Sequence, residues 1–172
     1  MKLFVMYIGG SHEKSFIELH DIRFVIAETI GDTYPKLRET WWGIPSSLHL
    51  DAWGCLDYAD GYEIQIKSTP SLDSTNKLYF INLGGYDSEQ FTELHKNIFV
   101  VAETPSKAKV KALKQILHWQ SFHRDYQFDI DDIISVDSAL SDQNFYIHLI
   151  PTEESRPFEF TCRYMPVGAK EN

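Results

Sequence analysis

The chain has 172 residues, 43% of them apolar and 24% charged, an ordinary globular balance, and that length holds one domain or two small ones of roughly 75 residues each. A formal net charge of −9 and a pI of about 5.2 repel polyanions, which sets aside nucleic acid and anionic membrane as partners. The apolar runs are too short to cross a bilayer, and the two cysteines, Cys55 and Cys162, lack metal-type spacing, so a reduced cytoplasmic setting is expected.

Met1–Gly10 reads as a strand rather than a secretion leader. Leu3–Ile8 is apolar on both faces, as for a strand covered on both sides. Gly9-Gly10 then ends it, either as a turn needing positive φ or where backbone approaches a ligand. A second strand is expected from Ile17 to Ala27. A helix follows, with Pro35 in its opening turn, Asp32 or Thr33 as cap, and Tyr34, Leu37 and Trp41 as its apolar stripe. Two strands, His49–Asp57 and Tyr62–Lys67, flank Tyr58-Ala59-Asp60-Gly61, which carries the Asp-Gly hairpin signal. Residues 68–76 are rich in Ser, Thr, Asn and Pro and read as a linker.

The pattern then starts again. Lys2–Thr29 falls on Lys77–Thr104 at an offset of 75 residues without a gap, with 13 of 28 positions identical. Gly9-Gly10 matches Gly84-Gly85, and Glu18-Leu19-His20 matches Glu93-Leu94-His95. Strands are expected over Leu78–Leu83 and Thr92–Ala102. A helix follows, opened by Pro105 or Ser106 with Thr104 as N-cap, and striped by Ala108, Val110, Ala112, Leu113, Ile116 and Leu117. Lys107, Lys111 and Lys114 share a face of it that reads as solvated. Strands over Tyr126–Val136 and Phe145–Ile150 complete the second copy, and Phe158–Tyr164 adds one more. Residues 165–172 read as a mobile tail.

The expected fold is therefore α+β: two tandem β-β-α-β-β repeats related by pseudo-twofold symmetry, residues 1–68 and 77–164, joined by residues 69–76. The element order is that of a β-grasp-like roll, with a helix across a mixed sheet and the first strand central.

The K-L-F-V-x-Y-x-G-G opening, the E-L-H-D segment, the T-Y-P-K-L helix start and the H-L-D-x-W run resemble a bacterial family of uncharacterised proteins. That family is a domain of unknown function, present in one or two copies per chain. The resemblance implies no activity and no catalytic residues.

Four histidines fall at matched positions: His20 with His95, and His49 with His123, the last pair at an offset of 74. Each has an acid two residues away: Glu18, Glu93, Asp51 and Asp125. In extended chain such neighbours share a face. If strands two and three meet, each repeat gathers two imidazoles and two carboxylates. That set suits Zn²⁺ or Fe²⁺, or general acid–base chemistry. The plainer reading, ranked first, is a carboxylate that fixes a histidine tautomer and ties a loop to a sheet. Trp41, Trp42, Trp53 and Trp119 read as core ahead of an aromatic groove.

With no nucleophile or dinucleotide motif, the expectation is a non-catalytic binding or interaction module for a small ligand or protein partner. A homo-oligomer stays open. The alternative is a metal-binding protein or hydrolase-type enzyme using the His/carboxylate sets. No cofactor is expected other than a divalent metal under that alternative.

Overall fold

The computed structural model describes residues 1–72, 75–86, 89–116, 130–154 and 156–168. In chain order the elements are β1 (Lys2–Gly10), β2 (Leu19–Ala27), α1 (Tyr34–Thr40), β3 (His49–Cys55), β4 (Tyr58–Ala59) and β5 (Tyr62–Lys67). They continue with β6 (Lys77–Tyr86), β7 (Glu93–Ala102), α2 (Pro105–Ile116), β8 (Ile130–Ser135), α3 (Val136–Ala139), β9 (Tyr146–Pro151) and β10 (Phe160–Pro166). The protein is α+β, and its strands form three sheets, ordered β10-β3-β1-β2, β4-β5-β9 and β7-β6-β8.

The two apolar faces of β1 explain the layering. Phe4, Met6 and Ile8 pack with Leu37 and Trp41 at α1, while Leu3 and Val5 meet Leu78 and Phe80 of β6. On the far side of β6, Tyr79, Ile81 and Leu83 lie against Ala108 and Ala112 of α2. The molecule is thus a stack of helix, sheet, sheet and helix, with the largest core between the two sheets. Each fully buried aliphatic of this set contributes about 1.5–3 kcal/mol.

The helices open on local signals. Asp32 Oδ2 accepts from Thr29 N at 2.9 Å and from Thr29 Oγ1 at 2.7 Å, which caps the 3₁₀ turn leading into α1. Pro35 sits in the first turn, where its missing N–H costs nothing. Thr104 Oγ1 accepts from Lys107 N at 3.3 Å and caps α2. Val110, expected in the stripe of α2, is exposed.

Several sequence expectations are corrected. The sheets are not mixed, because every ladder among the described residues is antiparallel. The connection through α1 carries the chain over β1, so β2 and β3 flank it, run the same way and both oppose it. The same holds for β7, β6 and β8. This is a split β-α-β arrangement rather than the β-grasp pairing. The Asp-Gly turn forms, with Asp60 at φ 50° and Gly61 at φ 84°, but it joins only β4 to β5. β3 pairs with β1 and β10, and β5 pairs with β9. Gly9, Gly10, Gly84 and Gly85 are not loop residues; they lie within β1 and β6, opposite His20, Leu19, His95 and Leu94. Val136 leaves the strand and begins α3. Residues 165–168 are not a free tail: Met165 and Pro166 extend β10, and Val167 is 1% exposed.

Loops from each half clasp the edge strand of the other. Gln143 Oε1 accepts from Ile26 N at 2.8 Å, and Asp60 Oδ2 accepts from Val101 N at 2.8 Å. Lys36 pairs with Asp142 at 2.5 Å, and Lys111 with Asp60 at 3.0 Å. Lys111 therefore holds an edge instead of lying on a purely solvated face.

Asp137, in the first turn of α3, is half-buried with Oδ2 unpaired. Burial pushes its carboxyl above the usual 3.8, against the lowering effect of amides at Leu78 and Asp137 itself and of Lys77. A raised folded pKa means that the native state holds the proton more tightly than the unfolded chain. Stability then falls as pH rises from 3.8 through the folded value, and the penalty persists above it. Asp137→Asn is accordingly expected to melt higher than the wild type at pH 7. Thermal melts across pH should show that advantage shrinking as pH falls toward 3.8.

No helix among the described residues is long and apolar enough to cross a membrane.

Candidate functional site

The register of the first sheet builds the site. Gly9 of β1 lies opposite His20 of β2 on one side and His49 of β3 on the other. Directly opposed residues of antiparallel strands share a face, so both imidazoles rise above the same glycine. Glu18 precedes β2 by one residue and joins His20 on that face. Asp51 gets there by a different route. Tyr7 pairs with Ala52 and Ile8 with Leu50, which leaves Asp51 as the extra residue of a β-bulge. A bulge re-aims the side chain it carries.

Glu18, His20, His49 and Asp51 converge. His20 Nε2 stands 3.5 Å from Glu18 Oε2 and 3.3 Å from Asp51 Oδ2, and His49 Nε2 stands 3.1 Å from Glu18 Oε1 and 3.5 Å from Asp51 Oδ1. Each imidazole thus faces both carboxylates, closing a ring of four groups. His49 is 2% exposed, while the others are part-exposed.

The tautomer of His49 follows from its second nitrogen. Nδ1 lies 2.8 Å from Ser47 O, and since a carbonyl only accepts, Nδ1 carries the proton and donates. Nε2 faces the two carboxylates, and neither it nor Asp51 Oδ2 makes a hydrogen bond although both are buried. Tyr7 stacks on His20 at 5.2 Å with the rings 5° from parallel, and Tyr164 of β10 lies 4.5 Å from the His49 ring. The Tyr7 hydroxyl is pushed above its usual range by burial first, then by the charges of Asp51 and Asp21.

Gly9 is required here for space. A Cβ at this position would lie 2.8 Å from both Asp51 Oδ2 and His49 Nε2, and 3.0 Å from His20 Cδ2. Since those atoms end movable side chains, Gly9→Ala is expected to displace the cluster and leave the fold standing, with a change in melting temperature of only a few degrees. Circular dichroism melts check this.

The second half repeats part of this arrangement. Gly84 lies opposite His95, and His95 Nε2 is 3.8 Å from Glu93 Oε2. Where Tyr7 stacks on His20, Asn82 Oδ1 instead lies 3.1 Å from His95 Nδ1. Asn82 pairs with Asp132 and Leu83 with Ile130, so a bulge falls at the position equivalent to that of Asp51. This register sets Leu50 against Ile130, an offset of 80. Residues 117–129, among them Trp119, His123 and Asp125, lie outside the described residues.

Sequence reasoning missed three partners. Ser47 contributes its carbonyl from the turn before β3, two residues from His49. Tyr7 has Asn82 as its counterpart, so the repeat gives it no signal, although both residues contact the histidine of the neighbouring strand. Tyr164 comes from β10, and nothing in the sequence places it near residue 49. Of the tryptophans, Trp41 is buried in the core, Trp42 is exposed and stacked on Trp41, and Trp53 is part-buried.

Comparison with known proteins adds family but no activity. The family model for a domain of unknown function, DUF1543, matches residues 15–66, a segment that contains all four clustered residues. A crystal structure of a protein Il1583 from Idiomarina loihiensis is similar over the whole chain. It has a TM-score of 0.74 and 33% sequence identity, and the match covers 98% of this chain and 99% of that one. No curated protein matches. A full-length relative of that identity, together with the matched domain, shows that the chain belongs to the DUF1543 family of domains of unknown function.

Proposed function

We propose that the chain is a binding protein whose first half holds one divalent cation through Glu18, His20, His49 and Asp51. The observation that carries this reading is His49 Nε2: buried, without a hydrogen bond, its ring oriented by the bond from Nδ1 to Ser47 O, and aimed into two carboxylates at 3.1 and 3.5 Å. Metal-ligating histidines commonly donate their other nitrogen to a carbonyl in this way. A cation between the four groups would turn facing lone pairs into ligands.

A tetrahedral shell with bonds of roughly 2.0–2.1 Å has ligand atoms about 3.3–3.4 Å apart. Each imidazole Nε2 lies 3.1 to 3.5 Å from a different oxygen of each carboxylate, so a cation would draw one oxygen of each carboxylate in between the two nitrogens. Among the described residues no three His, Cys, Asp or Glu side chains stand as they are in an arrangement that could hold a metal ion, so the carboxylates would have to turn about their side-chain bonds on binding. The mixed imidazole and carboxylate set suits Zn²⁺ or Fe²⁺.

We read the two halves as products of duplication, with the site kept in one. Support comes from the gap-free offset of 75, the bulge at equivalent positions and the reciprocal clasps at Ile26 and Val101. Asn82 in place of Tyr7 marks the second half as altered. The expected stoichiometry is therefore one cation per chain.

Calorimetric titration of chelator-treated protein with Zn²⁺ tests this. One equivalent should bind to the wild type and to His95→Ala, and none to His49→Ala, His20→Ala or Gly9→Ala. Saturating metal should raise the melting temperature of the wild type alone. Absence of binding to the wild type, with lower melting temperatures in His20→Ala and His49→Ala, would make the cluster a structural tie and overturn the proposal.

A further inference from the structure

A cavity of about 590 Å³ opens between the two sheets, within the range of roughly 300–1,000 Å³ common to small-molecule sites. It lies beside the histidine cluster, across the ring of Tyr7. We propose that it binds a small, flat organic anion: an aromatic ring system bearing one carboxylate-type group. This goes beyond the cation reading and does not depend on it.

The walls argue for a ring. Tyr7, Tyr58, Phe99 and Phe158 all line the cavity. Phe158 meets Phe99 edge-on at 5.6 Å and 70°, so both faces and edges of aromatic rings are presented. Flat rings gain from such offset and edge contacts beyond the area they bury, whereas a flexible chain gains only the area.

The polar groups argue for an anion. Arg156 lines the cavity with its guanidinium 4.6 Å above the Tyr58 ring. Its pairing with Glu154, at 2.6 Å from one nitrogen, joins two exposed groups and contributes little. A guanidinium has five N–H donors, so a ligand carboxylate can share it. Asp60 is the single acid among the described lining residues, and its Oδ2 already accepts from Val101 N and Lys111 Nζ. Asn97, also in the lining, accepts from Asn82 Nδ2 at 2.6 Å through its Oδ1, which leaves its amide as a donor. Arg156 and Asn97 therefore both offer donors to a ligand.

The test is calorimetric titration of the full chain in chelator with naphthalene-2-carboxylate, its neutral analogue naphthalene-2-methanol, and decanoate. The ring acid should saturate one site at least about tenfold more tightly than either comparator, about 1.4 kcal/mol. Arg156→Gln, at an exposed side chain, should erase the preference for acid over alcohol and leave the alcohol unchanged. Ala59→Trp, which fills the cavity, should abolish binding of both ring compounds. If that variant fails to fold, the Arg156→Gln comparison carries the test alone. His49→Ala should bind the ring acid like the wild type, so failure of the cation proposal and of this one are separable. No saturable binding of the ring acid, equal binding of decanoate, or an unchanged acid preference in Arg156→Gln would overturn it.

Discussion

Removal of residues 157–172 is expected to unfold the protein. β10 forms the outer edge of the first sheet, on the free side of β3. Beyond it Val167 enters the core around α1, which also takes in Leu37 and Leu48. Val167 N and Gly168 N donate to Leu48 O at 2.9 and 2.7 Å, and Arg38 Nε donates to Val167 O at 2.7 Å. Burial of the valine contributes about 1.5–3 kcal/mol, and each of these bonds about 0.5–1.5 kcal/mol net. Added to the lost ladder with β3 and the packing of Phe158 on Phe99, the deficit reaches the scale of a whole domain's stability, about 5–15 kcal/mol. Far-ultraviolet circular dichroism and dye binding to exposed apolar surface would register the collapse. A truncated chain that melts within a few degrees of the full one would mean that β10 is dispensable.

Phe80→Ala should cost about 3–5 kcal/mol and should weaken both halves together. Phe80 belongs to β6, yet its ring meets Phe24 of β2 at 5.6 Å and 66°, and Phe99 of β7 at 5.6 Å and 59°. Leu3, Val5 and Phe24 from the first half share that core with Leu78, Phe80 and Val101 from the second. One continuous core implies one cooperative transition, so urea denaturation of the variant should shift as a single step. Phe91→Ala, at a fully exposed ring, is the control and should stay within about 0.5 kcal/mol. Two separated transitions in Phe80→Ala, with the first half unmoved, would show that the halves fold independently.

The residues of the candidate site were legible because their signals are local. Glu18, His20, His49 and Asp51 stand two apart on extended chain, and period 2 sets which side chains share a face. The glycines were legible as special but not for the right reason. Composition cannot separate a glycine that needs positive φ from one that makes room. Only Gly61 among the described glycines has the former, and Gly9 is in the latter class. The match of His49 to His123 falls outside the described residues; comparison without pairing cannot locate an insertion, whereas bulges such as those beside Tyr7 and Asn82 can.

By itself the amino-acid order determined the two-faced apolar strand β1, the helix start at Thr104, the Asp60-Gly61 turn and the recurrence at 75 residues. These depend on φ, capping and periodicity, all properties of a few neighbouring residues. Tertiary structure alone decided which edges pair. β5 joins β9 and β10 joins β3 because an open edge is satisfied by whichever strand the packed core brings alongside it, and alternation along a strand names its faces but not its partner. The same packing brought Tyr164 over His49 from more than a hundred residues away, a contact that no local pattern encodes.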